Sequence, residues 1–183
     1  MATDITTSIG VSITSNVSNT TVPTLPAGST ALESTSSDPY TESQQEDYTF
    51  GVGSAKAKGH FHGTWSCASA AQVVFDLNAL AGTFDAFGDL ITATEIKAIY
   101  LHNVSTTTGD LLEVLGDAAA GGITTRFTLA AGDAINLHPN GVLLLTSPIE
   151  GFQVGAAATD QIEIDNNTGG AIEFEIFVLY EHV

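Results

Sequence analysis

The chain has 183 residues, 43% of them hydrophobic, enough for one domain with a real core plus an appendage and too many for wholesale disorder. Four basic residues, Lys56, Lys58, Lys97 and Arg126, face 21 acidic ones, for a formal net charge of -17. A phosphate backbone and an anionic bilayer both select clustered Lys and Arg, so neither nucleic acid nor membrane is expected as a partner.

Residues 1–50 contain no Lys, Arg or His, and twenty of them are Ser or Thr, so this stretch cannot bury a core of its own. Ile9-Gly-Val-Ser-Ile13 alternates apolar and polar and predicts a short strand. From Ser15 to Asp47 no period is sustained, and Pro23, Pro26 and Pro39 interrupt it. The reading is a flexible acidic arm over 1–50 and a folded domain over 51–183. The arm carries Asp4, Glu33, Asp38, Glu42, Glu46 and Asp47, so any surface that docks it should be neutral or basic.

From Tyr48 onward, short β-like segments recur between turn residues. They are Gln72–Leu77, Glu95–Val104, Leu111–Leu115, Ile123–Leu129, Gly141–Thr146 and Gln161–Asp165. Glu95–Val104 alternates, with Ile96, Ala98, Tyr100 and His102 on one face and Lys97, Ile99, Leu101 and Asn103 on the other. A helical turn is conceivable only near Ala86–Thr94. The last segment, Ala171–His182, places Ile172, Phe174, Ile176, Val178 and Tyr180 on one apolar face. Its other face opens with Glu173 and Glu175 and then turns apolar at Phe177 and Leu179. Such a face needs cover, from the chain itself or from a second subunit, and the expectation is a subunit contact. Ile9, Val11, Ile13, Phe177 and Leu179 are therefore the candidate interface residues. The succession of short strands indicates an all-β sandwich or barrel.

Chemistry is sparse. Gly59-His-Phe-His-Gly63 puts His60 and His62 on one face of a strand, the pair with which a cupin grips a metal. The Glu that should follow is replaced by the run Gly63-Thr-Trp-Ser-Cys67. After Pro139-Asn-Gly141, Leu144 stands where the second motif carries its His. Two of four ligands are missing, so no metal, no cofactor and no enzymatic activity are expected. Cys67 is the only cysteine, which rules out a disulfide within the chain, and it reads as a buried, inert thiol. Glu163 and Asp165 read as solvated strand carboxylates. Asn-x-Ser/Thr sequons at Asn16, Asn19, Asn103 and Asn166 read as chance in a Ser/Thr-rich chain.

Three stretches carry a resemblance: Ile96-Lys-Ala-Ile-Tyr-Leu-His-Asn103 with Ser105-Thr-Thr-Thr-Gly-Asp110, Gly141-Val-Leu-Leu-Leu-Thr-Ser-Pro148, and the closing strand. Over roughly 53–180 the chain resembles small all-β virion proteins of tailed bacteriophages. The resemblance implies an antiparallel jelly-roll-like β-sandwich, here behind an extended N-terminal arm. It also implies a capsid decoration (cement) protein on the outer surface of an icosahedral head, bound to the major capsid protein and often trimeric. Two other readings stay open. A fibre-tip module binding a host glycan would display exposed aromatics such as Tyr40, Tyr48 or Trp65, and a cupin-like enzyme would hold metal at His60 and His62.

Overall fold

The computed structural model describes residues 6–18, 37–78, 92–115, 134–155 and 161–182. Its strands are β1 (Thr6–Ser18), β2 (Ser37–Phe50), β3 (Lys56–Ala57), β4 (Gly59–Cys67), β5 (Ala71–Asp76), β6 (Glu95–Asn103), β7 (Leu112–Leu115), β8 (Ala134–Leu137), β9 (Val142–Thr146), β10 (Phe152–Gln153), β11 (Gln161–Asn166) and β12 (Ile172–Glu181). Two compact units share them: Ser8–Asp47, and Met1–Thr7 with Tyr48–Val183.

The larger unit is an antiparallel β-sandwich. One sheet runs β4, β12, β6, with β9 and β10 both paired to β6, and the other runs β5, β11, β7, β8. The chain changes sheet between β4 and β5, again before β6, β7 and β9, and finally before β11 and β12. The predicted strands from Gln72, Glu95, Leu111, Gly141, Gln161 and Ala171 correspond to β5, β6, β7, β9, β11 and β12. The predicted strand at Ile123–Leu129 and most of the Ala86–Thr94 turn lie outside the described residues.

Period two explains the core. Ile172, Phe174, Ile176, Val178 and Tyr180 of β12 are all buried, as their alternation predicts. They pack with Phe61 and Cys67 of β4, Ile99 and Leu101 of β6, and Phe75, Leu112, Val114, Ile162 and Ile164 of the facing sheet. Each large apolar side chain so buried contributes about 1.5–3 kcal/mol, so this one row is a major part of what closes the sandwich. Phe61, Trp65 and Phe75 form an aromatic cluster with ring centroids 5.0 to 5.5 Å apart. Gly63 makes room for it, because a Cβ there would lie 2.5 Å from the Trp65 ring.

Strict alternation fails at one place on β6. Leu179 pairs with Ala98, but Tyr180 pairs with Ile96, so a bulge inserts one extra residue at Lys97. Ile96 thereby turns inward with Ile99 and Leu101, and Lys97 leaves the face that alternation assigned to it. The Lys97 Nζ lies 2.7 Å from Glu95 and 3.3 Å from Glu181, and Lys97 is fully buried.

That end of the sheet is covered by the chain itself. Between β2 and β4 the backbone returns across it, with Ala55 N–H donating to Pro148, Lys58 N–H to Tyr180 and Gly53 N–H to the Glu181 carboxylate. Tyr48, Ala57, Ala98 and Leu179 are all fully buried. This corrects the expectation of a subunit contact at Leu179: the segment that follows the arm supplies the cover.

In the smaller unit β1 lies beside β2. Ser8 hydrogen-bonds Asp47 and Gly10 abuts the Gln44 carbonyl, so the two strands run antiparallel. The expected strand at Ile9–Ile13 falls within β1. The expected absence of structure up to Asp47 is corrected over Ser37–Asp47, which is strand. No apolar alternation marks β2, because its pairing rests on backbone hydrogen bonds, to which hydropathy is blind. The two units meet in sequence at Tyr48 and not at 51.

Gly63→Ala should lower stability by about 1–3 kcal/mol through overpacking against Trp65. Urea unfolding followed by tryptophan fluorescence checks this, with a lower midpoint and a red-shifted native spectrum expected.

Candidate functional site

Strand register lays the outward side chains of β4, β12, β6 and β9 in rows. Thr64, Glu175, His102 and Val142 are partners in one row, His62, Phe177, Tyr100 and Leu144 in the next, and His60, Leu179, Ala98 and Thr146 in the third. The third row is where the cover begins. The first two are open, and they form the candidate surface.

His60 and His62 share this outward face, as their spacing predicts. Their rings stack with centroids 5.5 Å apart, and His60 also stacks on Phe177 at 6.0 Å. His62 is exposed, while His60 and Phe177 are half-buried. Tyr100 lies beside His102 at 6.3 Å. The two His102 ring nitrogens each lie 3.2 Å from an oxygen, Nδ1 from Glu175 Oε2 and Nε2 from Asn140 Oδ1. A shallow depression of ≈ 300 Å³ opens here, lined in part by His62, Tyr100, Glu175 and Phe177. Such a surface can stack on planar or apolar groups and exchange hydrogen bonds at its rim.

Among the described residues no cluster of three His, Cys, Asp or Glu side chains is placed to hold a metal. Leu144 sits in the Tyr100 row, and Pro139–Gly141 is a turn, closed by a Gly141 N–H bond of 2.8 Å to the His138 carbonyl. Cys67 is not brought to the histidines. It points into the core, where its thiol donates to the Ala71 and Ile164 carbonyls. Burial, aided by the charge of Asp165, pushes the Cys67 thiol above its ordinary range, which leaves it a poor nucleophile.

Several expectations change with the structure. Tyr48 is fully buried and offers no open ring to a glycan, while Trp65 is partly buried, packed against the core. The Tyr40 side chain and the Ile13 side chain lie outside the described residues. Val11 is exposed and Ile9 half-buried. Glu163 is not solvated: β11 is flanked by β5 and β7, and the carboxylate is buried with Gln72 donating to it at 2.9 Å. Asn103 and Asn166 are buried as well, each spending its amide on carbonyls that shape a loop, Leu137 at 3.0 Å and Cys67 at 2.9 Å. Neither sequon is open to modification in the folded chain. Sequence reasoning missed Tyr100, His102, Glu175 and Asn140 as members of one surface. Period two put Tyr100 and His102 on one face, but only the β6–β12 register brings Glu175 to them.

Asp165 also departs from expectation. Burial raises its carboxyl above the ordinary value, the neighbouring Glu113 adds to this, and a hydrogen bond from Gln72 opposes it. A carboxyl raised in the folded state costs stability where it is ionised and nothing where both states are protonated. Asp165→Asn should therefore raise Tm near neutral pH, and the gain should vanish as the pH falls below the ordinary aspartate range. Thermal unfolding across that window checks it, and a gain that persisted in acid would place the effect in packing instead of charge.

Comparison with known proteins adds little beyond this geometry. No family model and no curated protein matches the chain. Among solved structures, a chain of the Bacillus endospore appendages, described as a novel family of disulfide-linked pili, is similar over 68% of this chain and 86% of its own, at 16% identity and a TM-score of 0.34.

Proposed function

We propose that this protein is a non-enzymatic structural subunit of a virion, a decoration protein that binds the major capsid protein on the outside of an icosahedral head and associates with itself, as a trimer. The observation that carries the reading is the two-stranded ribbon of β1 and β2. Strands of 13 and 14 residues, at about 3.3 Å per residue, reach roughly 40 Å. A two-stranded ribbon is marginal in water without a surface to rest on. The described side chains here are mostly exposed and polar, and the segment has no Lys, Arg or His. A long polar ribbon joined to a sandwich with a core of its own is the anatomy of a subunit that reaches over a neighbour. Many weak contacts, repeated over a particle, add through multivalency.

A second reading has one observation in its favour. The depression at His62, Tyr100, Phe177 and Glu175 combines ring faces with a carboxylate, which suits a sugar, and a glycan-binding spike would use it. Binding to immobilised glycans that is lost in Tyr100→Ala would favour that reading.

Removing residues 2–47 should leave a cooperatively unfolding sandwich that occupies particles at least about tenfold less, since each lost contact is repeated. Electron microscopy of the particle reads both arms of the test. The full chain should appear as threefold density outside the head, and full occupancy by the truncated chain would overturn the reading.

A further inference from the structure

We infer that the depression on the outward face of β4, β12 and β6 binds an arginine side chain presented by another protein. The inference rests on the structural role above and names the chemistry of the partner that role requires.

The first observation is what the site is made of. Phe177 of β12 is the ladder partner of His62 on β4 and of Tyr100 on β6, so three rings stand side by side in one row. Glu175 lies two residues before Phe177 on the same face, in the adjoining row between Thr64 and His102. His62, Thr64, Tyr100, Glu175 and Phe177 all line the depression of ≈ 300 Å³. His62 and Glu175 are exposed, and Tyr100 and Phe177 are half-buried. Aromatic rings present a negative face, and a guanidinium both stacks on such faces and offers a carboxylate a fork of N–H donors. Two residues along a strand span about 7 Å, so an arginine can lay its stem across the rings with its fork at Glu175.

The second observation is that Glu175 is held ready. His102 Nδ1 lies 3.2 Å from Glu175 Oε2, and the far side of the same ring is braced by Asn140 Oδ1, 3.2 Å from Nε2. A carboxylate accepts several bonds over its two oxygens, so the contact with His102 leaves it able to receive a guanidinium. A side chain already oriented loses less freedom when a ligand arrives.

The third is charge. No Lys or Arg is among the described residues that line the depression, and the whole chain carries a net charge of -17. A field of that sign concentrates and steers cations, whereas a neutral sugar gains nothing from it. The chain has a single arginine, Arg126. A different protein, the capsid protein of the proposed role, is therefore the source of the side chain that fits.

The test is NMR titration of the full, isotope-labelled chain with Nα-acetyl-L-arginine amide, and with Nα-acetyl-L-citrulline amide as the uncharged probe of the same shape. The arginine probe should shift the amide signals of His62, Tyr100, Glu175 and Phe177 together and bind at least about fivefold tighter than citrulline. Glu175→Gln keeps an acceptor for His102 and, at an exposed position, keeps the fold. It should weaken the arginine probe about threefold or more and change citrulline less than about twofold. Tyr100→Leu, once shown to unfold cooperatively, should weaken both probes. On particles, where contacts repeat, Glu175→Gln should lower occupancy about tenfold. Equal binding of the two probes, or shifts confined to the acidic ribbon, overturns the inference. So does N-acetylglucosamine shifting these signals where arginine does not, which is the outcome of the glycan reading. Self-association lost in Glu175→Gln with particle occupancy unchanged would give the site to a second copy and overturn the assignment of the partner. A chain that binds arginine here and never decorates particles refutes the structural role and leaves the site standing. Decoration at full occupancy by Glu175→Gln does the reverse.

Discussion

Burial of β12 on both faces at its carboxyl end is the constraint on which the rest of the sandwich depends. The strand lies between β4 and β6, and its inward row from Ile172 to Tyr180 fills the centre of the core. Its outward row passes from exposed Glu173 and Glu175, through half-buried Phe177, to fully buried Leu179. Leaving a leucine in water forfeits about 1.5–3 kcal/mol, so this end of the sheet requires a lid. The lid is the return segment between Tyr48 and Ala57. Its closure also takes Glu181 and Lys97 out of solvent, where one buried ammonium answers two carboxylates. Breaking such a group by removing one partner costs more than the pair contributes, so the bulge at Lys97 and the lid stand or fall together.

Much of this was legible in the sequence, and the rest was hidden for identifiable reasons. The inward face of β12 could be read directly, because five apolar residues two apart leave a strand one way to face the core. The shared face of His60 and His62 followed from the same rule. The phase of β6 could not be read through, since a bulge adds one residue without any mark in hydropathy, and Ile96 and Lys97 exchange faces because of it. β2 was invisible for a different reason: a polar strand has no apolar period. Leu179 was recognised as needing cover, but its source was misjudged, because the lid lies more than a hundred positions away in sequence. Tyr48, Trp65 and Glu163 follow the same logic. Their burial is set by which strand lies beside them, and alternation carries no information on neighbours.

The two units differ in chemistry. The outward sheet face of the sandwich carries stacked imidazole and aromatic rings. The ribbon of β1 and β2 is polar and acidic, with no Lys, Arg or His. A globular chain with a net charge of -17 repels copies of itself over most of its surface, which suits solubility. Cys67 is sunk in the core, with its thiol raised above the ordinary range.

Hydrogen exchange of the full chain, compared between the wild type and a Leu179→Ala variant, tests the account most directly, because amides exchange faster where local cover is lost. The expected result is faster exchange in the return segment between Tyr48 and Ala57, with the amides of β12 from Ile172 to Ile176 still protected. Unchanged exchange in the return segment would contradict the account, since that segment would then not be what closes over Leu179.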